Sequence, residues 1–269
     1  MKLRRRRRPR LRGLSINALI PNALTVLGLC LGLTAIRYAF VGRWEFAVGA
    51  IILAGIVDGL DGRAARMLKA STEFGAQLDS LSDFLCFGVA PAIVLYLWAL
   101  NDIGGAGWGV SLLFAVCIAL RLARFNVSRD DPNRPSWAGE FFVGVPAPTA
   151  GGMVLFPMMV SFEFGDALLR EPAYVAIHVI AVALLAVSTV PMYSGKGIKL
   201  RKKHFLPALL FVGIAFAIIV SYPWYSFSLL GIGYAASIFF SLRSHRRRMA
   251  QEPPAVPSTD EDGDDVAPT

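Results

Sequence analysis

Residues 58–84 read DGLDGRAARMLKASTEFGAQLDSLSDF, and this stretch joins two runs of apolar residues. Asp58, Asp61, Asp79 and Asp83 therefore lie at or near the ends of two consecutive hydrophobic helices. Asp58 and Asp61 are spaced i,i+3 and Asp79 and Asp83 i,i+4, so each pair lies on one face of its helix. A short turn between antiparallel helices brings the two pairs together. Four converging carboxylates are costly without a counter-charge, and Arg63, Arg66 and Lys69 are too few and too peripheral to supply it. An all-oxygen set with open positions suits Mg²⁺ or Mn²⁺, which leave vertices for phosphate oxygens. Gly59, Gly62, Ala64, Ala65 and Gly75 leave room for a phosphate-bearing ligand near the backbone. Helix capping accounts for one or two of the aspartates, not for two facing pairs.

The rest of the chain supplies a membrane setting for that chemistry. Of 269 residues, 55% are hydrophobic and 17% charged, against roughly 25% charged in soluble domains. This balance excludes a soluble two-domain enzyme, a disordered regulator and a disulfide scaffold. Cys30, Cys86 and Cys117 each sit in an apolar run and read as buried, small hydrophobes rather than a disulfide framework or a zinc site. Apolar stretches near spanning length, about 20 residues each, occur at 16–38, 45–62, 78–100, 107–125, 141–162, 172–191, 205–221 and 223–241. The expected fold is an all-α polytopic bundle of eight helices, without a transporter-type internal repeat.

The formal charge of +8 reports topology rather than nucleic-acid binding. With the N-terminus inside, Met1–Arg12, the loops 63–69, 121–134 and 196–203 and the Arg243–Arg248 cluster share the cytoplasmic side. Only Arg37, Arg43 and Arg170 then fall outside, as the positive-inside rule requires. Both termini are expected in the cytoplasm. The division is a basic segment 1–15, a transmembrane domain 16–245 and a basic, then acidic and Pro-rich, tail 246–269 expected to be disordered. Gly28-x3-Gly32 and Gly55-x3-Gly59 favour close helix packing within the chain, and the scattered His178, His204 and His245 suggest no shared metal.

The run Asp58-x2-Asp61-Gly62-x2-Ala65-Arg66-x8-Gly75-x3-Asp79-x3-Asp83 resembles the signature of the CDP-alcohol phosphotransferase family at every fixed position. IPNALTVLG at 20–28 is similar to the family's first-helix opening, and ALRLARFN at 119–126 and FFVGVPAP at 141–148 resemble its phosphatidylserine synthase branch. The resemblance covers approximately residues 15–220 and implies a six-helix core, to which 205–241 adds two helices. It further implies that Asp58, Asp61 and Asp79 ligate a pair of divalent cations, Mg²⁺ or Mn²⁺. Asp83 joins the second ion and acts as general base, and Asn22, Thr25, Gly62, Arg66 and Thr72 hold the CDP moiety. The implied reaction is direct transfer of the phosphatidyl group from CDP-diacylglycerol to L-serine, releasing CMP, by a homodimer in the lipid bilayer.

On spacing alone, Asn22 and Thr25 read as backbone hydrogen bonding or helix packing rather than as a binding pair. Arg121 and Arg124, at i,i+3, are either membrane anchors or the cations that hold the serine carboxylate. A sibling enzyme using glycerol 3-phosphate, inositol phosphate or choline is the alternative within the class. A cation transporter is the alternative outside it, disfavoured because the carboxylates gather at one membrane face without a broken-helix pair.

Overall fold

The computed structural model describes residues 16–129, 141–188, 191–193, 205–234 and 236. The basic N-terminal segment, the loop 196–203, the Arg243–Arg248 cluster and the acidic tail lie outside these residues. Helices α1 (Ile16–Phe40) and α2 (Trp44–Met67) form an antiparallel hairpin. The turn between them needs Gly42 at φ 71°, a left-handed conformation that glycine adopts without a Cβ penalty. Ala35, Ala39, Ala47, Ala50 and Ala54 are buried along this hairpin. In lipid, where apolar burial contributes little between helices, such small residues let backbones approach and gain dispersion contact.

The third apolar stretch starts earlier than its hydropathy suggests. α3 (Glu73–Asp83), a π-helical turn (Phe84–Val89) and α4 (Ala90–Trp98) make one continuous span, Glu73–Trp98. Thr72 sets its start as N-cap, its Oγ1 accepting from the Gly75 amide at 3.0 Å. α2 ends in a Schellman motif: the Ala70 amide donates to Ala65 O and the Lys69 amide to Arg66 O, with Lys69 at φ 49°. The two aspartate pairs are therefore joined by only the four residues 68–71 and the cap.

The span packs centrally, with Phe87, Leu95 and Trp98 buried. A π-turn shifts the helical phase by part of a residue, so the aspartate face before it need not continue as the core face after it. α1 meets this span through its glycines. A Cβ at Gly32 would come within 2.8 Å of Cys86 Sγ, and Cys86 Sγ donates to Gly28 O at 3.2 Å. The Gly28–Gly32 pair thus works within the chain; Gly59 has no neighbour within 4 Å of a built Cβ.

After a short 3-10 turn, Leu100–Ile103, α5 (Gly105–Arg129) runs past the expected helix end at 125 and carries Arg121 and Arg124 at the helical spacing expected of them. The stretch 141–162, expected as one spanning helix, is divided. It opens with β1 (Phe141–Val143), paired antiparallel to β2 (Pro191–Tyr193), and continues as α6 (Ala147–Val154) and α7 (Phe156–Phe164). Pro157 explains the division, because it lacks the N–H that the Met153 carbonyl, four residues earlier, would accept. His178 Nε2 on α8 (Pro172–Val187) lies 2.9 Å from that carbonyl and donates in its place. Replacing His178 by Phe should therefore lower the thermal stability of the detergent-solubilised protein by about 1–3 kcal/mol, the cost of a buried unpaired acceptor. Its turnover at low temperature should stay near wild type.

α9 (Phe205–Ser221) and α10 (Pro223–Tyr234) follow, bent by 119° between Pro207–Ser221 and Pro223–Tyr234. Among the described residues, Leu19–Phe40, Glu73–Trp98 and Gly105–Ser128 are long and apolar enough to cross a membrane, and the α9–α10 pair is a fourth candidate if it is one bent span. The eight expected apolar stretches are all largely helical, but as unequal, partly broken helices. The strand pair is the single departure from an all-helical bundle among the described residues.

Candidate active site

The aspartate pairs meet as their spacing requires. Asp58 and Asp61 from α2 and Asp79 from α3 each offer a carboxylate oxygen, and these three oxygens lie within 4.8 Å of one another. Asp61 is buried at 4% exposure. Bare charges at this separation repel by about 3–4 kcal/mol per pair at an effective dielectric of about 20. That cost, the all-oxygen donor set and the open side of Asp58 and Asp79 fit a hard divalent cation. Asp83 stands beside this trio, its carboxyl in hydrogen-bond contact with Asp58.

α1 supplies the third wall. Thr25, itself buried, places Oγ1 2.7 Å from Asp61 Oδ2 and 3.1 Å from Pro21 O. Its single proton goes to the shorter, charge-assisted bond, so Thr25 orients Asp61. One turn earlier, Asn22 packs against the start of α3. A Cβ at Gly75 would come within 2.8 Å of Asn22 Oδ1 and 3.1 Å of Thr72 Oγ1. Asn22, Thr72 and Gly75 thus form one polar corner, with the Thr72 hydroxyl engaged by the Gly75 amide. Arg66 is exposed and folds back over Gly62, where a Cβ would lie 3.7 Å from Nη1.

Arg121 and Arg124 of α5 part company. Arg121 is buried at 7% exposure and sits in electrostatic reach of Asp83, with its guanidinium 5.9 Å from the Phe125 ring centroid. Arg124 turns away to the end of α8, donating to Val187 O at 2.8 Å and Ser188 O at 3.1 Å. Those carbonyls belong to the last turn of α8, where a cation meets the negative end of the helix dipole. The structure therefore does not bring Arg121 and Arg124 to one ligand. Gly144, at φ 79° and with no room for a Cβ beside Ser188 O and Ala186 O, completes the Arg124 corner.

Two further polar links escaped the sequence reading. Asn126 Nδ2 donates to Ser80 Oγ at 3.0 Å, tying α5 to the helix that carries Asp79 and Asp83. Ser82 Oγ donates to Thr25 O at 3.3 Å and ties the same helix to α1. Both serines lie inside the aspartate-spaced segment, and Asn126 is an amide near the end of an apolar helix. Such residues are the detectable signal, although their partners are not.

Three helices thus present four carboxylates and a buried arginine at one end of an apolar bundle. Residues 18–190 match the family model described as CDP-alcohol phosphatidyltransferase. The chain belongs to this family. A second family model, CDP-alcohol phosphatidyltransferase 2, matches 203–238, so α9 and α10 also have counterparts in related sequences. The CDP-diacylglycerol–serine O-phosphatidyltransferase of Mycobacterium tuberculosis is 38% identical over 242 residues, 90% of this chain and 84% of the relative. The Helicobacter pylori protein of the same name is 31% identical over 198 residues, 74% of this chain and 81% of the relative. The archaetidylserine synthase of Methanothermobacter thermautotrophicus is 32% identical over 182 residues, covering 66% and 72%. As a CDP-alcohol phosphatidyltransferase with this many apolar helices, the chain is an integral membrane enzyme.

Proposed function

We propose that this enzyme transfers the phosphatidyl group from CDP-diacylglycerol to L-serine, giving phosphatidylserine and CMP. The convergence of Asp58, Asp61 and Asp79 within 4.8 Å carries the catalytic part of this reading, and the serine-named relatives support the acceptor. In this reading Asp58, Asp61 and Asp79 hold two divalent cations, Mg²⁺ or Mn²⁺, with Asp83 reaching the second. Bound there, the cations supply the positive charge that offsets the carboxylates and the substrate pyrophosphate.

The remaining steps fall to this chain's own side chains. Thr25 keeps Asp61 in its ligating orientation. Asn22, Thr72, Gly62 and Arg66 receive the CDP moiety, the glycine by leaving backbone accessible and Arg66 by offering a planar cation to phosphate. Asp83 takes the proton from the serine hydroxyl as that oxygen attacks the phosphorus bearing diacylglycerol, and CMP leaves. An ordinary carboxylate is a weak base toward an alcohol, so proton transfer is late and concerted with P–O bond formation. No nucleophilic side chain is needed on the path. The site faces the cytoplasm, both termini lie on that side, residues 16–245 form the catalytic domain, and the enzyme works as a homodimer.

Purified protein should release CMP from CDP-diacylglycerol on addition of serine. An acceptor panel of glycerol 3-phosphate, inositol phosphate and choline tests the choice, and release with one of these but not with serine would overturn the acceptor assignment. The arginines should separate in the same assay. Arg121→Ala should raise the serine KM by about 10-fold or more, as expected on losing a hydrogen bond to a charged group, with little change in the KM for CDP-diacylglycerol. Arg124→Ala should instead lower thermal stability through the α8 carbonyls and move both KM values together. A wild-type serine KM in Arg121→Ala would return Arg121 to a packing role.

A further inference from the structure

The rotation of α3 about its own axis decides where Asp79 and Asp83 aim, and apolar burial does little to set it. Of the eleven residues Glu73–Asp83, Ser82 alone is buried from solvent, and Phe74 and Leu81 are 60% and 65% exposed. The π-turn Phe84–Val89 separates this helix from the apolar residues buried further along the span. Two hydrogen bonds to neighbouring helices reach it from different sides. Ser82 Oγ donates to Thr25 O of α1 at 3.3 Å, and Asn126 Nδ2 of α5 donates to Ser80 Oγ at 3.0 Å. Ser80 gives its own proton to Ala76 O at 3.1 Å, nearer than Asn126 Oδ1 at 3.5 Å, so it faces α5 as an acceptor.

Helical geometry puts the aspartates between these two bonds. Successive residues of an α-helix are about 100° apart, so on going round α3 from Ser80, Asp83 follows at about 60°, Asp79 at about 100° and Ser82 at about 160° in the same sense. The acidic face is therefore flanked by the bond to α5 on one side and the bond to α1 on the other. The α1 bond also reaches the opposite aspartate pair, because Thr25, whose carbonyl accepts from Ser82, donates its hydroxyl to Asp61 Oδ2 at 2.7 Å. With side-chain tips about 5–6 Å from the axis, a rotation of about 10° moves a carboxylate by about 1 Å, a displacement that can cost about 10²-fold in rate. We propose that Ser80, Ser82 and Asn126 are positioning residues that bracket the acidic face of α3 and fix its rotation, keeping Asp79 and Asp83 aimed at the site. They act through the two aspartates, and the serines fill two of the three positions between Asp79 and Asp83 that the family signature leaves open. The inference rests on the metal reading of Asp58, Asp61 and Asp79 given above.

Mn²⁺ binding to the full-length protein in detergent tests this, with free Mn²⁺ followed by electron paramagnetic resonance well below the melting temperature of each variant, so that only folded protein is read. Ser82→Ala and Asn126→Ala should each weaken Mn²⁺ binding about 3–10-fold, the range for losing one neutral hydrogen bond. Both should also lower kcat for CMP release at saturating Mn²⁺, because Asp83 shares the rotation. Ser80→Ala should match Asn126→Ala, and Ser80→Thr, which keeps the hydroxyl, should bind Mn²⁺ as tightly as wild type. The Ser80→Ala, Asn126→Ala double variant should be no worse than either single one, since both remove the same bond. Ser82→Ala combined with Asn126→Ala should lose at least the product of the two single effects. An unchanged Mn²⁺ affinity in Ser82→Ala or in Asn126→Ala, or full additivity between Ser80→Ala and Asn126→Ala, would overturn the proposal while leaving the metal reading intact. If Asp79→Asn binds Mn²⁺ as tightly as wild type, the metal reading fails instead. The Ser82 and Asn126 variants are then read by kcat for CMP release, and an unchanged kcat in both overturns the bracket as well.

Discussion

Asp61→Asn, Asp58→Asn and Asp79→Asn are each expected to lower CMP release by at least about 10²-fold, the scale on which removing a key electrostatic partner of the transition state acts. Asn preserves the volume and one oxygen of each aspartate but removes the negative charge, so the change reads charge rather than shape. Asp61 gives the cleanest test, because Asn can still accept the Thr25 hydroxyl bond of 2.7 Å and keep α1 in place. Near-wild-type turnover of all three variants at saturating Mg²⁺ and Mn²⁺ would sink the metal assignment. A chelator should abolish wild-type activity, and restoring either cation should return it.

Asp83→Asn is expected to separate binding from chemistry. Losing a general base typically costs 10²–10⁴-fold, while an amide at 83 can keep the contact with Asp58 and fill the same space. CDP-diacylglycerol affinity, measured by equilibrium binding with the metal present, should stay within about threefold of wild type, far less than the loss expected in turnover. If affinity falls in step with turnover, Asp83 is principally a ligand and the base lies elsewhere. The geometry favours a distinct role, since Asp83 lies outside the trio of mutually close carboxylates and faces Arg121.

The divergence of Arg121 and Arg124 shows why such roles need the fold. Both arginines lie on one side of α5 by their i,i+3 spacing, and the local pattern cannot separate them. One turn of helix is enough to carry Arg124 past the site and onto the carbonyls at the end of α8, 63 and 64 residues further along the chain. Arg121 stays beside Asp83, a contact that depends on how α5 crosses the central span.

What the sequence determined by itself was whatever a single helix encodes: the apolar stretches, the two aspartate pairs at helical spacing, and the short link that brings them together. Hydropathy marked where helices run but not which side of each faces protein, because lipid and protein interior are equally apolar solvents for a side chain. Leu81 is 65% exposed while Phe87, six residues along the same span, is 2% exposed, and nothing in their hydrophobicity separates them. The break at Pro157 divides a stretch that hydropathy reads as one helix, and its repair by His178 joins positions 25 residues apart. The Thr25–Asp61 bond, the Gly75 corner around Asn22 and the packing of Trp224 on Phe162 likewise join segments distant in the chain. Only the tertiary structure decided these, because each depends on which helix lies opposite, and that is set by the packing of small and large residues across the whole bundle rather than by any local period.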